Sequence, residues 1–207
     1  MLAIAGNHDI PLFALGSRLF RPHARQCQAF GDTLEPVHSS PEWLVVCVDT
    51  TRAWRHKNGA LSSEQIERVA ARLASATAGQ LRVVVVHHPI AVPRPEDVPD
   101  RLRGHAIALP RWAAAGADLV MGGHIHLPYV MPLRHLVRPV WVVQAGTAVS
   151  TRVRRGVPNS VNLLRWGAPH AAAGRCVIEQ WDFAAASQAF ARTTLTDIEP
   201  HRAPDVG

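Results

Sequence analysis

The sequence predicts an α/β fold in which helices and buried strands alternate early and strands dominate late. Three observations carry that expectation. Continuous apolar runs end at polar or glycine-rich turns, as over residues 81–86; residues 62–77 have clear helical periodicity; and the last third is a series of short strand-like runs. With 207 residues, 47% of them hydrophobic and 18% charged, the chain is long enough to bury one core and lacks the signature of disorder. It is therefore read as a single domain over residues 1–207.

The elements follow in order. Residues 2–5 form a short apolar run that stops at Gly6, the pattern of a buried strand. Residues 11–30 carry helical spacing in Leu12, Leu15, Leu19, Cys27 and Phe30, with Pro22 as a break or kink. Residues 43–49 read as a strand, because Val45, Val46 and Val48 supply β-branched bulk. In residues 62–77 the apolar positions Ile66, Val69, Ala70 and Leu73 recur at helical spacing, and Ser62 with Gln65 makes a capping box. Residues 81–86 predict a strand buried on both faces, with His87 at its end. A helix over 109–115 and a strand over 118–121, running into Gly122 and Gly123, come next. Runs near 140–144, 161–166, 176–183 and 189–195 predict successive strands. Residues 199–207, rich in Pro and Asp, predict a frayed tail.

The net charge of +6 and pI near 10.5 favour acidic partners. Lys57 is the only lysine, and the arginines are scattered apart from Arg152, Arg154 and Arg155. There is no basic helical face with interleaved aromatics, which argues against a nucleic-acid surface. Cys27, Cys47 and Cys176 are widely spaced and form no C-x-x-C, so neither a disulfide framework nor a cysteine zinc site is expected. No apolar stretch has the length of a membrane span, and the first residues lack the features of a signal peptide. The expectation is a cytoplasmic protein with no membrane partner.

Four of the twelve histidines need explaining: His8, His87, His124 and His126 fall at the ends of apolar runs or in glycine-flanked turns. In α/β folds, loops at the carboxyl ends of buried strands converge on one crevice. Imidazole is a common ligand for zinc, iron and similar ions. Each site alone also has a plain reading. Gly6, Asn7 and Asp9 are ordinary turn formers, His87-His88-Pro89 could be a capped strand end, and His124 and His126 could be surface residues.

Taken jointly, Gly6-Asn7-His8-Asp9, His87-His88-Pro89 and Gly123-His124-Ile125-His126, each after an apolar run, resemble the calcineurin-like metallophosphoesterases. Residues 144–159 are similar to the bacterial phosphohydrolase branch that includes cyclic-nucleotide phosphodiesterases. The resemblance implies a four-layer α/β/β/α sandwich of two mixed sheets that hydrolyses a small phosphate ester, by preference a phosphodiester. It implies two divalent ions, Mn, Fe or Zn, with a metal-held hydroxide attacking phosphorus. By position, Asn7, His87 and His124 would hold one ion and His126 would belong to the other; His87 matches the ligand better than His88. His8 would stand over the phosphate and either stabilise developing charge or protonate the leaving oxygen, with Asp9 orienting its ring and favouring its charged form. Arg152, with Arg154 and Arg155, would contact substrate phosphate, the plain reading being a solvated basic turn.

Family members also carry an Asp-x-His and a Gly-Asp ahead of the motif that matches Gly6 to Asp9. Only five residues precede Gly6 here. The expectations are therefore a chain lacking the family's N-terminal strand-helix-strand segment, one bound ion, slow turnover, and self-association through an exposed sheet edge. Asp49 is the best carboxylate for a substitute ligand, yet before Thr50 and Thr51 it reads as a turn or cap residue. The rival reading is a catalytically impaired remnant that binds a nucleotide or a protein partner. A metallo-β-lactamase pattern, H-x-H-x-D-H, fails because Leu127 and Pro128 follow His126.

Overall fold

The computed structural model describes residues 1–55, 57–167 and 174–201. In chain order the elements are α1 (Leu15–Phe20), α2 (Ala24–Phe30), β1 (Val37–Ser39), β2 (Trp43–Cys47), α3 (Ser63–Ala74), β3 (Leu81–Val85), a 3-10 helix (Pro95–Asp100), α4 (His105–Ala114), β4 (Leu119–Gly122), β5 (Tyr129–Leu133), β6 (Val140–Gln144), β7 (Ser160–Trp166), β8 (Cys176–Ala184) and β9 (Ala189–Ile198). No helix among the described residues is long and apolar enough to cross a membrane.

Two sheets form. The first has six strands in the order β1-β2-β3-β4-β6-β5. Its four inner strands run parallel, and β1 and β5 close its two sides as antiparallel edges. The second, β7-β8-β9, is antiparallel throughout. One face of the first sheet packs with α3 and α4 in a core of Val46, Val84, Val120 and Val142 against Leu73, Ala70 and Trp112. The other face contributes Leu81, Val83, Leu119 and Val143 to a second core with Trp166, Cys176, Ile178 and Ile198 of the second sheet. Burial on both faces explains why the inner strands read as continuous apolar runs.

The capping box forms as its residues predict: Ser62 Oγ accepts from the Gln65 amide at 3.1 Å, and Gln65 Oε1 accepts from the Ser62 amide at 3.0 Å. Trp112, fully buried, ties α4 to α3 by donating its indole N–H to the Ile66 carbonyl (3.1 Å).

Several expectations need correction. The described residues build three layers, α/β/β, rather than four, and the second sheet is not mixed. Its strands follow one another by short connections, which allow antiparallel neighbours and leave no length for helical crossovers. Residues 2–5 join no ladder; Ala5 is buried, but an apolar run becomes a strand only where another strand pairs with it. The segment 11–30 does split around Pro22 into two helices, yet Leu12, Leu15 and Leu19 are exposed and do not form a buried face. The helix expected from residue 109 begins at His105, where Gly104 takes a left-handed φ of 90°. Of the tail, Pro200 is buried and the His201 carbonyl accepts from the Arg138 guanidinium; residues 202–207 lie outside the described residues. Strand β5 contains Pro132, tolerable because β5 is an edge.

Candidate metal centre

The site grows from the carboxyl ends of the parallel strands. The chain leaves β3 into His87 and His88, and leaves the adjacent strand β4 into Gly123, His124, Ile125 and His126. Main-chain bonds continue the ladder past both ends: the Val86 amide donates to Met121, and the Gly123 amide to His87 (both 2.9 Å). The two imidazole-bearing turns are therefore locked side by side. From β2, next on the other side, comes Thr50.

Residues 6–9 bring the third component. The Asp9 amide donates to the Gly6 carbonyl (3.1 Å), and the Asp9 carboxylate accepts from the Gly6 amide (2.7 Å), closing a turn that presents Asn7 and His8. The Asp9 carboxylate is thereby engaged by the main chain of the turn. Gly6 is required by proximity, since a Cβ there would lie 2.8 Å from His87 Cε1.

Asn7 Oδ1 meets His87 Nε2 at 3.1 Å and His124 Nδ1 at 3.1 Å. Nitrogens of two histidines far apart in sequence thus meet the same Asn7 oxygen. Ligands bound about 2.1 Å from a metal ion sit about 3.0–3.4 Å from one another at octahedral or tetrahedral angles, so these spacings match edges of a coordination polyhedron. His87, His88 and His124 also have ring nitrogens within 4.8 Å of one another. The cluster can hold a metal ion.

His88 is the weaker candidate of the three. It is 1% exposed, its Nε2–H donates to the Lys57 carbonyl (3.0 Å), and its Nδ1 accepts from the Thr50 hydroxyl (2.8 Å). Both nitrogens are engaged, so a metal would have to break one buried hydrogen bond. Gly59 makes room for this ring, since a Cβ there would lie 2.2 Å from His88 Nδ1. The ring packs edge-on to His87 at 4.9 Å and tilted on His124 at 4.6 Å.

All three imidazoles are held neutral. Burial pushes His88 down to about 4 from 6.5, and burial likewise brings His124 down to about 4. His87 lies well below the ordinary value, first through burial and then through repulsion by His88, His124, His8 and His126. Neutral imidazole is the ligating form.

His126 occupies the next position outward. Its Nδ1–H donates to the Arg152 carbonyl at 2.6 Å, leaving Nε2 as the outward lone pair, the arrangement that fixes the tautomer of many ligating histidines. His124 and His126 both have left-handed backbones, with φ of 72° and 54°. Around these residues lies a pocket of about 340 Å³ lined by Asn7, His8, Lys57, Asp97, Asp100, His124, Ile125, His126 and Arg154.

Arg152 is exposed, and its contribution here is the carbonyl that holds His126; the guanidinium lining the pocket is that of Arg154. Of the four charged lining residues, Arg154 belongs to the arginine run expected to meet phosphate, whereas Lys57, Asp97 and Asp100 carried no expected role at the site. They pair as Arg154–Asp97 at 2.8 Å and Lys57–Asp100 at 2.6 Å. Asp49 behaves as a turn residue: its Oδ1 accepts from the Thr51 amide (2.9 Å) and hydroxyl (2.6 Å). The cysteines are free, and burial raises the Cys47 thiol to about 11, which removes it as a nucleophile.

No protein-family model matches the chain, and no curated protein matches it either. Solved structures that resemble it include Vps29 from Entamoeba histolytica in three forms. A single mutant is 13% identical over 75% of this chain and 98% of that one, with a TM-score of 0.34. A double mutant is 15% identical over 70% and 93%, at 0.32. The wild type complexed with Zn2+ is 13% identical over 72% and 97%, at 0.30. Likeness of this degree carries no inference about activity.

Proposed function

We propose that the chain is a metal-dependent hydrolase of small phosphate esters, with phosphodiesters preferred, and that Asn7, His87 and His124 hold its divalent ion. One observation carries the reading: the Asn7 carboxamide oxygen bracketed at 3.1 Å by nitrogens of His87 and His124, with Asn7 and His124 lining a pocket that has polar and charged walls. The nitrogen and oxygen donors suit Mn, Fe or Zn. When bound, such an ion supplies Lewis-acid polarisation of a phosphoryl oxygen and acidifies water.

The chain's own groups supply the rest. His8 is exposed at the rim, where a ring nitrogen can hand a proton to the departing oxygen. His126 Nε2 offers a further lone pair beside the same pocket. Arg154 and Lys57 bring positive charge to the wall, and each is matched by a carboxylate. That balance favours a monoanionic diester over a dianionic monoester, since an uncompensated second phosphate charge would face Asp97 and Asp100.

The experiment is hydrolysis of bis(p-nitrophenyl) phosphate and p-nitrophenyl phosphate by the chain loaded with Mn2+. A higher kcat/KM for the diester is expected, lost with chelator and in His124→Ala. Metal-dependent turnover of the monoester alone would overturn the substrate class, and no metal-dependent turnover of either would overturn the reading. The rival, a fold that holds one ion and binds a nucleotide without turnover, is favoured by the pairing of both wall carboxylates with cations. It would be upheld by saturable nucleotide binding to the metal-loaded chain together with failure to hydrolyse either ester.

A further inference from the structure

A second cavity, of about 490 Å³, lies outside the histidine cluster. Its walls are apolar: Ile90 and Leu133 from the first sheet and the loop after β3, Leu109 from α4, and Leu136 from the turn between β5 and β6. The size is that of a small-molecule site, and such sites combine an apolar lining with a few placed polar groups. Here the polar groups are Arg101, His105 and His135, with no carboxylate in the lining.

Arg101 gives the cavity its sign. Its Nε is buried and meets no acceptor, and among the described residues no carboxylate pairs with its guanidinium. A guanidinium against apolar walls, with no carboxylate partner of its own, is complementary to a carboxylate carried on an apolar body. His105 is oriented by its Nδ1–H, which donates to the Leu102 carbonyl at 2.9 Å, so Nε2 is the ring atom left for the cavity.

The cavity does not belong to the hydrolytic site. Asp97 and Asp100 line the pocket of the histidine cluster, whereas Arg101, the next residue, lines this one. The two pockets share no lining residue, and no residue of Pro95–Asp100 lines this one.

We infer that this cavity is a binding site for a small amphipathic carboxylate, with Arg101 on the carboxylate and Ile90, Leu109, Leu133 and Leu136 around the apolar chain. Calorimetric titration of the full chain with octanoate, octan-1-ol and octylammonium, each below its aggregation limit, tests it. Octanoate should bind saturably at one site, octan-1-ol about tenfold or more weakly, and octylammonium not at all. Arg101→Gln should bring octanoate to the level of the alcohol. Ala106, exposed on α4 and lining the cavity, gives two further probes: Ala106→Trp should block both ligands by filling the space, and Ala106→Glu should weaken octanoate selectively. Equal affinity for the acid and the alcohol, octanoate binding unaffected by Arg101→Gln, or no saturable binding of octanoate to the unaltered chain would each overturn the assignment. None of these outcomes depends on hydrolytic activity.

Discussion

Acidification should weaken the fold through His88, and by an amount that can be worked out. The ring is 1% exposed, and burial brings it from 6.5 down to about 4. A base with a depressed folded value binds its proton more readily in the unfolded chain. Its contribution is therefore complete above about pH 6.5 and is lost as pH falls from there toward 4. Between pH 6.5 and pH 5 the linkage relation gives a loss of about 1.6 kcal/mol from this group alone. His124 adds a smaller amount, because it is partly exposed and its shift is screened. His87, lowered further still by burial and by its histidine neighbours, adds a loss of its own, so the difference between wild type and a His88 variant, and not the total, isolates His88. Urea unfolding with chelator present, followed by tryptophan fluorescence at the two pH values, measures it. His88→Gln keeps a donor for the Lys57 carbonyl and an acceptor for the Thr50 hydroxyl but does not titrate, and it should lose at least 1 kcal/mol less than the wild type across the interval. Equal losses in the two proteins would show that His88 is not held neutral by the fold.

Three further outcomes are expected. Elemental analysis after dialysis should find about one divalent ion per chain, reduced in His124→Ala; two tightly held ions would mean that other residues complete a second site. His8→Ala should lower turnover of an aryl phosphodiester while metal content stays nearly unchanged, and joint loss of both would make His8 a ligand. In Gly6→Ala the new methyl would stand 2.8 Å from His87 Cε1, so Zn2+ affinity measured by chelator competition should fall about tenfold or more; unchanged affinity would show that the turn yields freely.

The parts that were legible in the sequence are those fixed by local pattern. Val83 and Val84 announce a strand covered on both faces, and Ser62 with Gln65 announces a helix start, because each signal needs only residues close in sequence. The convergence of His87 and His124 was legible because loops at the ends of parallel strands share one crevice; Asn7 follows no strand, and its place beside them was expected only from the resemblance. The partnerships that assign roles were not. His87 and His88 are both imidazoles after the same strand, and what separates them is a hydroxyl at Thr50 and a carbonyl at Lys57. Arg154 and Asp97 are 57 positions apart, so no pattern marks their pairing or shows that Arg154, and not Arg152, lines the pocket. The run Leu12, Leu15, Leu19 has the right period for a buried face, but period does not say that a surface exists to receive it.

The backbone of the Gly123 to His126 turn carries the final prediction. His124 has φ 72° and His126 φ 54°, a conformation that costs a residue with a Cβ about 1–2 kcal/mol. The turn is held there by contacts on both sides: the Gln144 side-chain amide donates to the Gly123 carbonyl, Ile125 and Leu127 are buried, and His126 is tied to Arg152. Such strain persists only where the surroundings over-determine it. Comparing His124→Gly with His124→Ala isolates it. Both remove the same imidazole, so both should lower metal affinity alike. Glycine adopts the left-handed conformation without penalty, although it gives the unfolded chain more freedom, which offsets part of the gain. The glycine variant should therefore be the more stable of the two by about 0.5–1 kcal/mol in chelator, the reverse of the order expected in a helix or strand. If alanine proved equal or better in the same urea experiment, the turn would have relaxed out of its left-handed form. The two imidazoles would then not be held in place by a strained backbone.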